Sequence, residues 1–205
     1  MNTINLKITG NEDSINEALV ATEKLAVDGG LDKKQCLHLR LLAEELFGMI
    51  RSITREVKAD YVVNQDGKSY ELHLETEVEL TMEMREEMLS VSSSGKNEAA
   101  KGFMGKLRDV IRVSLLPSEN LPGISERTGL GLMNMGETTG SGIREAGVGY
   151  EWSMSVYKDN LESKRRDETE EAWDELEKSI VANIADEVKV YIERTKVHAV
   201  IMKSF

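Results

Sequence analysis

The hydrophobic positions follow two periodicities that switch along the chain. Near the start, Ile4, Leu6 and Ile8 alternate with polar residues and predict a first strand over residues 4–9. Asn11 or Ser14 then offers a side-chain oxygen to a helix start, with Ile15, Leu19 and Leu25 on its inner side and Gly29-Gly30 at its end. Asp32 caps a second helix, predicted to run to about Ile53. Its Leu39, Leu42, Leu46, Met49 and Ile53 recur every three or four residues, which on a helix makes one apolar stripe.

The period then becomes two. Tyr61 to Val63 and Tyr70 to Leu80 flank Asn64-Gln65-Asp66-Gly67-Lys68, a hairpin signal. Along the second strand Tyr70, Leu72, Leu74, Thr76, Val78 and Leu80 face one way, while Glu71, His73, Glu75, Glu77 and Glu79 face the other. One face packs on helices, and the carboxylate face meets water or a partner. Met82 to Leu89 reads as a short helix and Ser92 to Asn97 as a loop. A helix is predicted from about Glu98 to Leu116, with Phe103, Met104, Leu107, Val110, Ile111 and Leu115 inward and Pro117 as its stop.

Residues 117–150 hold 8 of the 16 glycines, so a long mobile loop is expected there. Tyr150 to Tyr157 alternates through Trp152, Met154 and Val156 and predicts a strand. Residues 158–171 are highly charged, a linker or the solvated start of a helix whose stripe is Trp173, Leu176, Ile180 and Ile184. Val188, Val190 and Ile192, then Val197 to Met202, predict a terminal hairpin. No internal repeat is present. This order implies an α+β protein, a two-layer α/β sandwich with helices on one face of a mostly antiparallel sheet.

Composition narrows the functional classes. At 205 residues the chain is one domain or a domain with an extension. Acidic residues number 37 against 26 basic ones, for a net charge of −11. That balance argues against nucleic-acid binding and against docking on anionic lipid, both of which need a basic footprint. Aromatic residues make up only 5%, so aliphatic side chains and the 10 methionines must fill the core. Cys36 is the single cysteine, which excludes an intramolecular disulfide or a cysteine zinc cluster and makes it a core residue. No apolar run is long enough to span a membrane and the first residues do not read as a signal peptide, so a cytoplasmic protein is expected.

The candidate chemistry centres on Leu41 to Ile50, where Glu44 and Glu45 interrupt an apolar run. A carboxylate at the edge of a buried face is costly unless something uses it. At 100° per residue, His38 and Glu45 share one shoulder of the stripe near Met49, whereas Glu44 points away with Arg40 and Arg51 as an ion-pairing residue. His38 and Glu45 are either an acid–base pair or a carboxylate beside a partly buried histidine. His73 and His198 have no ligand spacing, and no metal site is expected. Ser93-Ser94-Gly95-Lys96-Asn97 precedes a helix, with Lys101, Lys106, Arg108 and Arg112 nearby. It is either a phosphate cradle or a helix cap with solvated basic residues. It is not a P-loop, since Asn97 follows the lysine and Ser90 stands at the first glycine.

The element order and Glu44-Glu45-Leu46-Phe47-Gly48-Met49 resemble the ATP-binding domain shared by gyrase B, histidine kinases and bacterial anti-sigma-factor kinases. Length and the passage from Leu37 to Ile53 look most like the last of these. The resemblance covers residues 1–157, an ATPase-like domain, and leaves 158–205 as a C-terminal helix and hairpin extension. It implies that Glu45 stands for the glutamate that polarises the attacking water or hydroxyl. Met49 stands for the asparagine that holds Mg²⁺, and a thioether is a poor ligand for a hard cation. The family's Asp-x-Gly-x-Gly should follow Leu80, yet no glycine lies between Gly67 and Gly95 and only Glu77-Val78-Glu79 is close. Its Gly-x-Gly-Leu is matched by Gly129-Leu130-Gly131-Leu132, or by Gly102 to Leu107, which has the following helix.

The nucleotide-binding candidates are therefore Gly95, Lys96, Asn97, Gly129 and Gly131. The resemblance implies a regulatory protein that acts through protein–protein contacts without ATP turnover and without a cofactor. Its partners would be a sigma factor or an anti-sigma antagonist and a second copy, with neither nucleic acid nor membrane. One alternative is an active ATP-binding serine kinase or ATPase using Glu45 with ATP and Mg²⁺. The other is an orphan structural module. The helix register itself is testable: Leu46→Ala is expected to cost about 2–5 kcal/mol in urea unfolding, and a near-neutral result would mean that Leu46 faces outward.

Overall fold

Four of the helices begin on a side chain suited to begin them: Asn11, Asp32, Ser153 and Ser179. Asn11 accepts a hydrogen bond from the Ser14 amide and starts α1, Glu12–Asp28. Asp32 and Gln35 form a reciprocal capping box at the start of α2, Lys33–Arg51. The computed structural model describes residues 1–54, 57–78, 103–115, 133–134, 149–164 and 166–205. Ahead of α1 lies β1, Asn2–Thr9, and after α2 come β2, Lys58–Asp66, and β3, Ser69–Glu77. Then follow α3, Phe103–Ser114; β4, Met133–Asn134; β5, Gly149–Ser153; α4, Met154–Glu162; α5, Arg166–Lys178; α6, Ile180–Ile184; β6, Glu187–Glu193; and β7, Lys196–Ser204.

The strands form one seven-stranded sheet in the order β1-β2-β3-β7-β6-β5-β4. Every neighbouring pair is antiparallel. Burial alternates along the strands: Tyr61 and Val63, Leu72 and Leu74, Val188 and Val190, and Val197 and Ala199 are buried, while their neighbours are mostly exposed or half-buried. Helices therefore cover one face, and the chain is α+β with the layered arrangement expected. The whole α2 stripe is buried, including Leu39, Leu42 and Leu46. Phe47 packs against Tyr61 with ring centroids 4.9 Å apart, and the Tyr61 hydroxyl meets Thr22 of α1 at 2.9 Å. Phe103 of α3 joins Trp152 and Tyr157 in an aromatic cluster, bringing α3, β5 and α4 into the same core. Burial, aided by Glu175, pushes the Tyr157 phenol up to about 12.

Three expectations are corrected. The β2–β3 loop is only Gly67-Lys68, because Asn64, Gln65 and Asp66 continue the strand; Gly67 takes φ 59°, the left-handed conformation that a tight hairpin needs at its first loop residue. The strand predicted over Tyr150 to Tyr157 stops at Ser153, and α4 begins at Met154. The cause is non-local: the Glu187 carboxylate accepts from the Met154 and Ser155 amides at 2.9 and 3.2 Å, and the Ser153 hydroxyl accepts from Val156 at 3.4 Å. The single stripe through Trp173 to Ile184 is two helices, since Ser179 restarts the chain by accepting from the Ala182 amide. That break turns Ile180 outward, 48% exposed, and Val181 into the core. The expected boundary at 157/158 falls inside α4, and β7 lies in the sheet interior between β3 and β6. The short helix expected at Met82 to Leu89 and most of the glycine-rich segment lie outside the described residues.

Gly29 and Gly30 have different reasons to be glycine. Gly30 takes φ 77° in a Schellman ending, where Leu31 donates to Ala26 O at 3.1 Å and Gly30 to Val27 O at 3.0 Å. Gly29 has an ordinary helical φ, but a Cβ there would overlap the Tyr70 hydroxyl and the Gln65 amide. The Tyr70 hydroxyl is buried and finds no hydrogen-bond partner among the described residues. Gly29→Ala is expected to destabilise by about 1–3 kcal/mol. Tyr70→Phe alone should be near neutral or stabilising, because it removes an unsatisfied group. Combining the two should recover part of the Gly29→Ala loss in urea unfolding.

Candidate functional site

The α2 shoulder is the first place where carboxylates meet the core. Arg40 donates to Glu44 at 3.0 Å and to Glu23 of α1 at 3.1 Å, so Glu44 is an ion-pairing residue joining two helices. Glu45, one residue on, is half-buried, and so is His38 two turns earlier. Among the described residues these two share no hydrogen bond or ion pair. Met49 is only 5% exposed and packs in the core. The helical turn after Glu45 therefore presents a thioether to other apolar side chains. At the C-terminal end of α2, Arg112 of α3 donates to the Ser52 carbonyl, one of the groups a helix end leaves unpaired.

Gly95, Lys96, Asn97, Gly129 and Gly131, with Glu79 and Leu80, lie outside the described residues. Of the basic cluster, the side chains of Arg108 and Arg112 fall within them. Among the described residues no group of three or more His, Cys, Asp or Glu is arranged to hold a metal ion, and no helix is long and apolar enough to cross a membrane.

The open face of the sheet carries a cluster that spacing along the chain does not reveal. Register places His73 opposite Val200, and Glu75 opposite His198. On that diagonal, His73 Nδ1 and His198 Nε2 lie 3.2 Å apart. His73 Nε2 lies 3.3 Å from Glu71 Oε2. Tyr191, directly opposite His198, has its ring centroid 5.7 Å from the imidazole. Val200 beneath them is 3% exposed although it faces away from the helices. Burial and the neighbouring His73 lower the His198 pKa from its ordinary value, while Glu75 acts against them. The only sequence signal for this pairing was the β2–β3 and β6–β7 hairpin pattern, which orients each strand but does not join β3 to β7.

The same face carries a shallow groove of about 490 Å³ lined by Lys7, Lys58, Lys196, Asp60, Glu75 and Glu77. Its three ammonium groups stand among three carboxylates, with Lys7 3.8 Å from Asp60. The carboxylate ladder expected along β3 is thus interleaved with lysines from other strands.

A helix N-terminus is a ready anion site, and at α4 the protein fills it internally. Glu187 accepts from the Met154 and Ser155 amides, from both the Ser153 and Ser155 hydroxyls, and from its own Val188 amide at 2.9 Å. β6, β5 and α4 are tied at that one carboxylate. No family model, curated protein or solved structure matches the chain. The Glu187 knot gives a direct test: Glu187→Ala should lower stability by about 1–2 kcal/mol. Glu187→Gln, which keeps an acceptor without the charge, should recover part of that in thermal unfolding.

Proposed function

We propose that this protein is a cytoplasmic regulator of anti-sigma-factor-kinase-like architecture that works through protein–protein contact and does not turn over ATP. The observation that carries the reading is Met49, 5% exposed in the core one helical turn after Glu45. The resemblance asks for a Mg²⁺-holding oxygen donor at that position. Met49 offers a soft sulfur packed among apolar side chains, and a hard cation needs oxygen ligands. Glu45 is then left without the metal that would give its carboxylate a polarising role. The succession of β1, α1, α2 and the β2–β3 hairpin, with helices on one face of the sheet, supports the same architecture.

The partners proposed are a sigma factor or an anti-sigma antagonist, and a second copy of the chain. The open face, with its half-exposed Glu71, His73 and Tyr191, is the surface offered.

Thermal unfolding with and without Mg-ATP and Mg-ADP tests the reading. A ligand at 100 times its Kd stabilises the folded state by about 2.7 kcal/mol. A chain of this size shifts its Tm by about 2–4 °C per kcal/mol. No shift is expected at millimolar nucleotide. A clear shift that disappears in Glu45→Ala would overturn the reading in favour of a kinase or ATPase with an altered site.

A further inference from the structure

The β3–β7 pairing joins the first three strands to the last four, and on the open face its central side-chain contact is between two imidazoles. The His73 and His198 rings are inclined by only 21°, with centroids 5.4 Å apart, while their facing nitrogens are 3.2 Å apart. The difference between those two distances is what two ring radii take up. The rings therefore meet edge to edge, and the hydrogen bond lies near both ring planes. Such a contact has room for one proton.

Glu71 fixes which nitrogen carries it. A carboxylate can only accept, so His73 Nε2 donates to Glu71. The His73 Nδ1 lone pair is then the acceptor, and His198 Nε2–H is the donor. Both rings are Nε2–H tautomers, aligned in a chain from Glu71 through His73 to His198.

The other groups facing the pair follow from register. Glu75 on β3 stands opposite His198, with Asp60 of β2 opposite Glu75. From β6, Tyr191 stands opposite His198, and Lys189 opposite Val200 beside His73. Glu151 of β5 stands opposite Tyr191. Lys196 of β7 lies two residues from His198, opposite both Glu77 and Glu193.

We propose that His73 and His198 act as a pH-operated fastener on the β3–β7 seam, holding it while one proton lies between their facing nitrogens and loosening it when both rings are protonated and two cations are set in contact. Doubly protonated, both facing nitrogens are donors and the hydrogen bond is lost. Burial of His198 opposes its charging in the same sense. The sign follows from the lowered His198: the folded state binds fewer protons than the unfolded one. The stabilisation is complete above the ordinary histidine range and is lost as pH falls below it, through the lowered His198 value.

Nitrogen-detected NMR of the histidine rings in the full chain tests this. At alkaline pH both rings should appear as Nε2–H tautomers. On acidification both rings should report the same two coupled steps. In His198→Gln, His73 should titrate in one step. Two independent single-step curves, unchanged when the other histidine is replaced, would overturn the proposal. Hydrogen exchange adds a mechanical readout, with β3–β7 amides compared with β1–β2 amides in the same sample. Between neutral pH and about pH 5 the rate ratio should rise roughly tenfold for each pKa unit by which the second step is depressed. It should stay constant in His198→Gln and His73→Gln. A constant ratio in the wild type, or an equal rise in the variants, would overturn it.

Discussion

The antiparallel pairing of Ser69–Glu77 with Lys196–Ser204 is the constraint on which the remaining structure depends. β7 has β3 on one side and β6 on the other, so removing this pairing would divide the sheet into a three-stranded and a four-stranded piece. Its ends are fastened outside the strands as well. Val78 donates to Thr195 O at 2.8 Å, and Phe205 donates to Lys68 O at 3.1 Å. On the helix side, Leu72, Leu74, Val197, Ala199 and Ile201 are buried along the seam in a single core. The apolar side supplies the larger driving force, because burial of area outweighs surface polar contacts. The buried alternation and the turns set the register, and the polar side adds the contact between the two imidazoles.

The same division explains the α2 shoulder. A helix that lays Leu39, Leu42, Leu46 and Met49 against the core has committed one face to packing. Glu44 leaves that face and is paired with Arg40, whereas Glu45 stays at its edge. A metal ligand one turn beyond Glu45 would need a polar atom where Met49 is packed, and a buried polar group without a partner is unfavourable. Packing of the core and service of a hard cation are competing uses of that position, and in this chain packing holds it. At α4 a similar competition is resolved by Glu187, which occupies the helix N-terminus that a phosphate could otherwise use.

The parts of the fold legible in the sequence were those decided by near neighbours. The Asp32 cap and the α2 stripe are set within a few turns of helix, and the alternation of β3 needs only its own residues. What could not be read depended on distant side chains. Alternation through Trp152, Met154 and Val156 fits a strand, and the helix there is started by Glu187, more than thirty residues away. Ser179 looks like any polar residue in a charged helix until its hydroxyl caps a new one. His73 and His198 are 125 positions apart, and nothing in either hairpin states which strands become neighbours. On α2, the position of Glu45 at the edge of the stripe and the apolar commitment of Met49 were legible from helical geometry. The histidine pair was not, because it is a property of sheet order.

The position of β7 also bears on synthesis of the chain. β3 is complete at Glu77, but the strand that covers its free edge begins only at Lys196. At ribosomal rates of about 5–20 residues per second, that interval is on the order of ten seconds. During it, β1, β2 and β3 can form a hairpin meander whose last strand presents unpaired backbone groups. Such an edge is a template for pairing with another nascent chain. Glu71, Glu75 and Glu77 line one side of that strand. Two such edges meeting would bring carboxylates face to face, and like charges across a strand pair repel. The acidic ladder thus guards β3 against its own copies until the lysine-bearing β7 arrives to take the place.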